Sequence, residues 1–473
     1  MSSRRLRVLA CDGGGVRGLS TLLILRALLC KINESNKPMR PQEAFDIFTG
    51  TSTGGLIAIM IVKFDMDVDE CIEAYKRLAK EVFGRKSLRG RLSGGFTKPK
   101  YSYERFDRVM ANLYDRHPDL NVHYAMEDLR RNPGLVCTVV CTELETNWTK
   151  RRKRDKVLLC SHRCRPGPGR TNPYETCRVC DAARATSAAP TYFKEKKIGK
   201  KVLVDGGYGE TNNPSLNAYR HYLFNPHAPE LTSSDDIQWV NIGTGTWPKN
   251  APPPTQPWLR YLLPEAANTM LNSVRDLMAI ATECETTADH MRTYERVQSQ
   301  FAFFRFSADT GLHTIALDRH DELEKIEQQT MEYLQKRSVK EELERVAACL
   351  REGIRLKRQE EETARMLRVE HEFLEPRRST SAASWKKRDC SSSAGHVSPG
   401  PVPSTSGTSE PTVRTSEPNQ TPPPTPPALQ EPVAVVTQES DMHGAGGQFD
   451  EELSLSKPRR SATTPIQWKP PQG

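Results

Sequence analysis

Twice near its start the chain runs from a short apolar strand through a glycine-rich turn into an apolar helix. LRVLAC (6–11) passes through DGGGVRG into LSTLLILRALLCKINES, and AFDIF (44–48) passes through TGTSTGG into a helix expected from Thr53 to Lys63. This alternation restricts the fold to an α/β class: a three-layer α/β/α sandwich with a mainly parallel central sheet and helices on both faces. Ligands of such sheets bind beyond the carboxyl ends of the strands, where both glycine turns lie.

The remaining pattern extends this plan. Helices are expected at Val68–Phe83 and Ser102–Tyr114, and strands at Gly134–Thr142, Lys156–Cys160, Lys201–Asp205, Ile237–Ile242 and Phe301–Phe306. Beyond residue 318 come charged amphipathic helices, DELEKIEQQTMEYLQ and a longer run after it, which suit either packing on the sheet or contact with a partner. From Arg377 onward Ser, Thr and Pro dominate and no period of 2 or 3.6 persists, so this tail is expected to be disordered. The folded part that remains is long enough to bury a sizeable core.

A formal net charge of +9 over 473 residues is modest, and the basic residues fall in short clusters such as Lys150 to Arg154 and Lys194 to Lys201. Such clusters fit a solvated surface or attraction to an anionic membrane. No nucleic-acid partner is expected, because no binding motif accompanies the charge. The opening MSSRRLRVLACDGG has too short an apolar run for a signal peptide, and no run of about 18 apolar residues occurs, so a soluble cytoplasmic protein is expected.

Most of the 12 cysteines are dispersed, and Cys11, Cys137 and Cys141 sit in strand-like runs as reduced, buried thiols would. Cys160, Cys164, Cys177 and Cys180 differ: they are spaced C-x3-C-x12-C-x2-C with His162 inside, a pattern compatible with zinc. Against that, Cys160 ends the strand-like KVLLC, and Cys177 and Cys180 enter the helical-looking CRVCDAARATSAA, where packing would suffice.

GTSTG matches G-x-S-x-G, in which a serine on a sharp strand-to-helix turn exposes its hydroxyl between small neighbours. Ser52 would stand at a helix N-terminus, whose dipole favours developing negative charge. GGGVRG (13–18) spells G-x-G-x-x-G between a strand and a helix and fits two uses. One is a dinucleotide fingerprint, although the second strand ends at the serine turn rather than at the acidic residue that use requires. The other is an oxyanion hole built from successive backbone N–H groups.

The proton acceptor for Ser52 also has two candidates. His221, His290 and His313 lie downstream of Asp205, as the acid-then-histidine order of an α/β-hydrolase would have it. That fold places its elbow after several strands, whereas one strand precedes AFDIF, and His221 in AYRHYLF reads as a helix residue. The alternative is Asp205, which ends a strand and opens into the loop GGYGETNNP. An aspartate must stay ionised and within about 3 Å of the hydroxyl to serve as base. Asp12 leads directly into the glycine loop and reads as its brace.

DGGGVRG (12–18), GTSTGG (50–55), ARATSAAPTYF (183–193) and DGG (205–207), in this order and with VNIGTGT (240–246) after them, resemble the patatin-like phospholipase family. The resemblance covers about residues 6–220. It implies a lipid acyl hydrolase that works without metal or cofactor through a Ser–Asp dyad and an acyl-enzyme. Ser52 would be the nucleophile, Asp205 the proton acceptor, and Gly13, Gly14 and Gly15 the oxyanion donors. Asp12, Arg17, Gly18, Gly50, Gly54, Gly206 and Gly207 would support them, with ARATSAAPTYF packed beside the site.

On this basis residues 1–220 form the catalytic core, 221–320 continue the α/β domain, 321–376 are a charged helical extension and 377–473 the tail. The substrate would be a membrane or micellar lipid reached by peripheral contact. Glycerophospholipids, galactolipids, triacylglycerols and lysolipids all fit. A transacylase with the same residues, or a lipid-binding scaffold without turnover, are the other readings. PWLRYLLPEAANTMLNSVRDLMAIAT (257–282), which opens with Trp258, Leu259 and Tyr261, suits an interfacial anchor or lid, or an ordinary buried helix.

Overall fold

The structure is a computed structural model that describes residues 5–84, 99–116, 119–120, 124–128, 132, 134–144, 154–162, 174, 177–224, 236–246 and 284–374. Several expectations lie outside the described residues: the anchor or lid at 257–282, Cys164, most of the Lys150 to Arg154 cluster, and the tail from 377 onward.

The chain begins with β1 (Arg5–Cys11), α1 (Gly18–Ile32), a short α2 (Pro41–Ala44), β2 (Ile47–Thr51), α3 (Thr53–Lys63) and α4 (Val68–Phe83). The start of α4 is fixed by a capping box, in which the Asp67 carboxylate accepts from Glu70 N and the Glu70 carboxylate accepts from Asp67 N, each at 2.8 Å. A helix at Tyr103–Asp115 follows, then β3 (Val136–Leu144), β4 (Arg154–Cys160), a helix at Val179–Thr186, β5 (Lys196–Ile198) and β6 (Lys201–Asp205). A helix at Ser215–Phe224, β7 (Asp236–Ile242), a helix over 284–297, β8 (Phe301–Phe306) and helices at Leu323–Gln335 and Arg337–Leu374 complete the described order.

The sheet is mostly parallel and mixed. Strands β3, β2, β1, β7 and β8 lie side by side in parallel. At the β3 margin β4 and β6 pair antiparallel, and β5 pairs with β6. β3 runs two residues beyond its expected end because its ladder with β4 carries through Leu144↔Arg154.

Strand side chains alternate between two cores, which makes the three layers. Leu9 and Cys11 of β1 join Val240, Ile242, Phe304 and Phe306 in a core with α1, α3 and α4. Val8 and Ala10 face the other way, with Ile237, Trp239, Phe301 and Phe303, against Tyr219 and Tyr222 of the 215–224 helix and Met291 of the 284–297 helix. The long final helix buries Val339, Leu343, Val346, Leu350 and Ile354, at spacings of three and four, in the first of these cores. Packing on the domain is therefore the fate of that part of the charged extension, while Met366 and Leu367 further along are exposed. Among the described residues no helix is long and apolar enough to cross a membrane.

One detail of the sheet places the site. β4 occupies one edge of β3 from Thr138 to Leu144, so β2 and β6 must share the other. β2 reaches its end with Thr51 beside Val140, and β6, arriving from the opposite direction, ends with Asp205 beside Cys141. The residues at the two strand ends therefore meet.

Candidate active site

Ser52 sits between β2 and α3 with φ 52° and ψ −120°, a backbone conformation that side-chain-bearing residues rarely adopt. Two features hold it there. The Ser52 N–H donates to Thr186 Oγ1 at 2.8 Å, and that hydroxyl donates to Val140 O at 2.8 Å, which ties the turn to β3. Close backbone approach does the rest: a Cβ on Gly54 would stand 2.0 Å from Cys11 O, and one on Gly50 would stand 2.1 Å from the Gly54 carbonyl carbon.

Asp205 is 5% exposed. Its carboxylate accepts a hydrogen bond from Gly207 N at 2.8 Å and faces the Ser52 hydroxyl, which favours its ionised form. Burial pushes its titration up to about 6, against the opposing pull of these two donors. A carboxyl poised there is ionised at neutral pH and still basic enough to take a proton.

The first glycine turn closes over the same place. Gly13 N–H donates to Asn212 O at 3.1 Å, and Gly13 O accepts from Asn212 Nδ2 at 3.0 Å and Thr244 Oγ1 at 2.8 Å. Gly13 is thus clamped on both sides and its N–H is engaged. Gly15, at φ 56°, offers its carbonyl to Thr53 Oγ1 at 2.9 Å and to the Tyr75 hydroxyl. Arg17 Nε donates to Gly14 O at 3.3 Å, Gly18 opens α1, and Gly206 opens the turn after Asp205.

Asp12 accepts from Asn241 Nδ2 at 2.8 Å and pairs with the buried Arg305 at 3.0 Å, so it anchors the loop to β7 and β8. Sequence inspection gives no warning of Thr186, Asn212, Thr244 or Tyr75 as site residues. The first three lie inside the recognised stretches ARATSAAPTYF, DGGYGETNNP and VNIGTGT; Tyr75 belongs to the apolar stripe of α4 and carries no signal of its own.

Ser52, Asp205, Gly13, Gly14, Gly15 and Gly207 line one cavity of about 290 Å³, together with Asp12 and Arg17. Its far wall is apolar, built from Leu56, Leu78, Val82, Phe83, Phe106 and Phe193. None of the three histidines lines it: His290 is exposed, His313 sits in the short turn Leu312–Thr314, and His221 lies against Cys160 and His162. His290→Ala and His313→Ala are therefore expected to leave kcat/KM on an acyl ester unchanged, and loss of activity in either would restore a histidine to the chemistry.

The four-cysteine grouping is not the one that forms among the described residues. Cys160 converges with His162 and His221, whereas Cys177 and Cys180 stand outside that group and Cys177 is buried near Cys141. Spacing groups residues by proximity in the chain, whereas the fold brings His221 to Cys160 from 61 residues away.

Residues 9–219 match the family model of patatin-like phospholipase. The chain is 30% identical over 221 residues to calcium-independent phospholipase A2-gamma of Rattus norvegicus, a match that covers 46% of this chain and 26% of that protein. It is 45% identical over 358 residues to phospholipase A I of Arabidopsis thaliana, covering 67% of this chain and 25% of the relative. It is also 29% identical over 258 residues to probable inactive patatin-like protein 9 of Arabidopsis thaliana, covering 52% and 62%. The chain thus spans about a quarter of the length of the two named phospholipases.

Proposed function

We propose that this chain, whose residues 9–219 belong to the patatin-like phospholipase family, cleaves fatty-acyl esters of phospholipids or related glycerolipids through an acyl-Ser52 intermediate. The observation that carries this reading is the convergence of Ser52 and the buried Asp205 at the polar end of an otherwise apolar cavity that both residues line. A cavity of that character suits an acyl chain, with its ester group left beside the polar residues.

In the first half-reaction Ser52 Oγ bonds to the acyl carbonyl carbon while its proton passes to Asp205. The carbonyl electron pair moves onto oxygen, which faces the N-terminus of α3 and the N–H groups of Gly14 and Gly15. Gly13 contributes through the loop's shape, since its own N–H is engaged by Asn212. Each well-aimed donor is worth about 10²–10³ in kcat. Collapse breaks the bond to the alkoxide, Asp205 returns the proton to it, and the lipid alcohol leaves. Water then repeats the sequence on the acyl-enzyme: its proton goes to Asp205, the fatty acid departs, and Ser52 is reprotonated.

Because the ionised form of Asp205 is the base, kcat/KM on a soluble acyl ester should be flat above pH 6 and fall about tenfold per pH unit below it. A profile that stays flat to about pH 5 would remove Asp205 from that role. The substrate class is tested by incubating the chain with a panel of phospholipids, galactolipids, triacylglycerols and lysolipids in vesicles or micelles, followed by product mass spectrometry. Free fatty acid as the main product supports hydrolysis, whereas acyl transfer to an added alcohol would reassign the reaction. Labelling by a fluorophosphonate with no release from any ester would favour lipid binding without turnover.

A further inference from the structure

We propose that Cys160, His162 and His221 form a zinc site that fastens the end of β4 to the helix Ser215–Phe224. Their candidate ligand atoms all lie within 4.8 Å of one another. Cys160 Sγ is 3.5 Å from His221 Nε2, and His162 Nε2 is 3.2 Å from the same nitrogen. A tetrahedral zinc with Zn–S near 2.3 Å and Zn–N near 2.05 Å sets its ligands about 3.6 Å apart for sulfur and nitrogen and about 3.3 Å apart for two nitrogens. The two measured separations fall close to these values.

The elements that present the ligands are held in place independently. Ser161 N donates to Cys137 O and Cys137 N donates to Ser161 Oγ, each at 2.8 Å, which fixes the turn between Cys160 and His162 on β3. On the helix, Tyr222 beside His221 shares a 2.7 Å hydrogen bond with Thr138 Oγ1, also of β3. Both ligand-bearing segments are thus registered on one strand before any ion arrives. Thiolate with imidazole is a donor set that suits zinc. On binding, the Cys160 thiol gives its proton to solvent, the two imidazoles bind neutral through Nε2, and water takes the fourth position.

The cluster is separate from the cavity. Cys160 pairs with Thr138 near the start of β3, whereas Asp205 pairs with Cys141 further along, and none of the three ligands lines the cavity around Ser52. The ion's task is accordingly mechanical: to join the end of β4 to a helix on the sheet's face, between residues 61 apart in the chain.

The test is elemental analysis of the purified full chain, then removal of metal with a chelator and titration with zinc followed by thermal unfolding. One zinc per chain and a Tm that rises on zinc addition are expected, with both lost in His221→Ala and Cys160→Ser. Both should be kept in Ser52→Ala and in Cys30→Ser on α1. Should a ligand variant fail to fold, cobalt(II) added to the metal-free wild-type chain decides: a thiolate-to-cobalt charge-transfer band with tetrahedral d–d bands is expected. A wild-type chain that takes up no zinc and shows no such bands, or ligand variants that keep their zinc, would overturn the site.

Discussion

Asp205→Asn is expected to lose about 10²–10⁴ in kcat and at the same time to unfold at a higher temperature than the wild-type chain. Ser52→Ala, lacking the nucleophile, should fall further, on the order of 10⁶. The stability gain follows from the raised titration of Asp205, from 3.8 to about 6, with burial as its main cause. A carboxyl whose folded value is raised contributes stability while protonated, below about 3.8, and that contribution is lost as pH rises through 6. Above pH 6 the folded chain therefore carries a buried charge at a cost of about 3 kcal/mol, an upper bound for what the neutral amide recovers. Urea unfolding at about pH 4 and pH 8 separates the effects: the variant's advantage should be near zero at the lower pH and full at the higher. An Asp205→Asn variant no more stable than wild type at pH 8 would contradict the electrostatic account, and one that retained activity would contradict the dyad.

The largest structural effect is expected at Gly54. Its Cβ in Gly54→Ala would stand 2.0 Å from Cys11 O, and because that neighbour is strand backbone it cannot rotate away. Either α3 or β1 must move, at a cost of about 3 kcal/mol or more. Ser52, which caps α3, would move with it, and a displacement of about 1 Å at a reacting atom is itself enough to cost about 10² in rate. Gly199→Ala is the matched control. Its φ is 56°, but nothing lies within 4 Å of the added Cβ, so only the backbone penalty of about 1 kcal/mol applies. Equal midpoints in urea for the two variants would show that the packing of α3 on β1 is looser than the distances indicate.

The elements that the sequence made legible are those whose own apolar pattern specifies them. Thr53–Lys63, Val68–Phe83, Lys201–Asp205 and Phe301–Phe306 are found at their expected bounds because burial is written into their spacing. β5, with the sequence KKI, has no such pattern and exists through its pairing with β6. The glycine turns were likewise legible, since each answers a local demand of the backbone. What linked them was not. Thr186, Asn212 and Thr244 act through hydrogen bonds to residues more than a hundred positions away, and no local pattern records such a partner. The same limit explains why spacing points to Cys160, Cys164, Cys177 and Cys180, whereas among the described residues Cys160 meets His162 and His221.

The shared edge of β3 has a further consequence for how such a chain can diverge. Ser52 and Asp205 are separated by a long stretch of sequence, yet their spacing is read off one strand, at Val140 and Cys141. β3 serves as a common ruler, graduated in steps of about 3.3 Å. Insertions and deletions in the connecting loops leave the graduation untouched, whereas a slip of a single residue in either ladder would turn the side chain at its end to the opposite face. Loop length in this chain is thus free to change, while the separation of Ser52 and Asp205, and with it the proposed chemistry, stays indexed to two adjacent residues of β3.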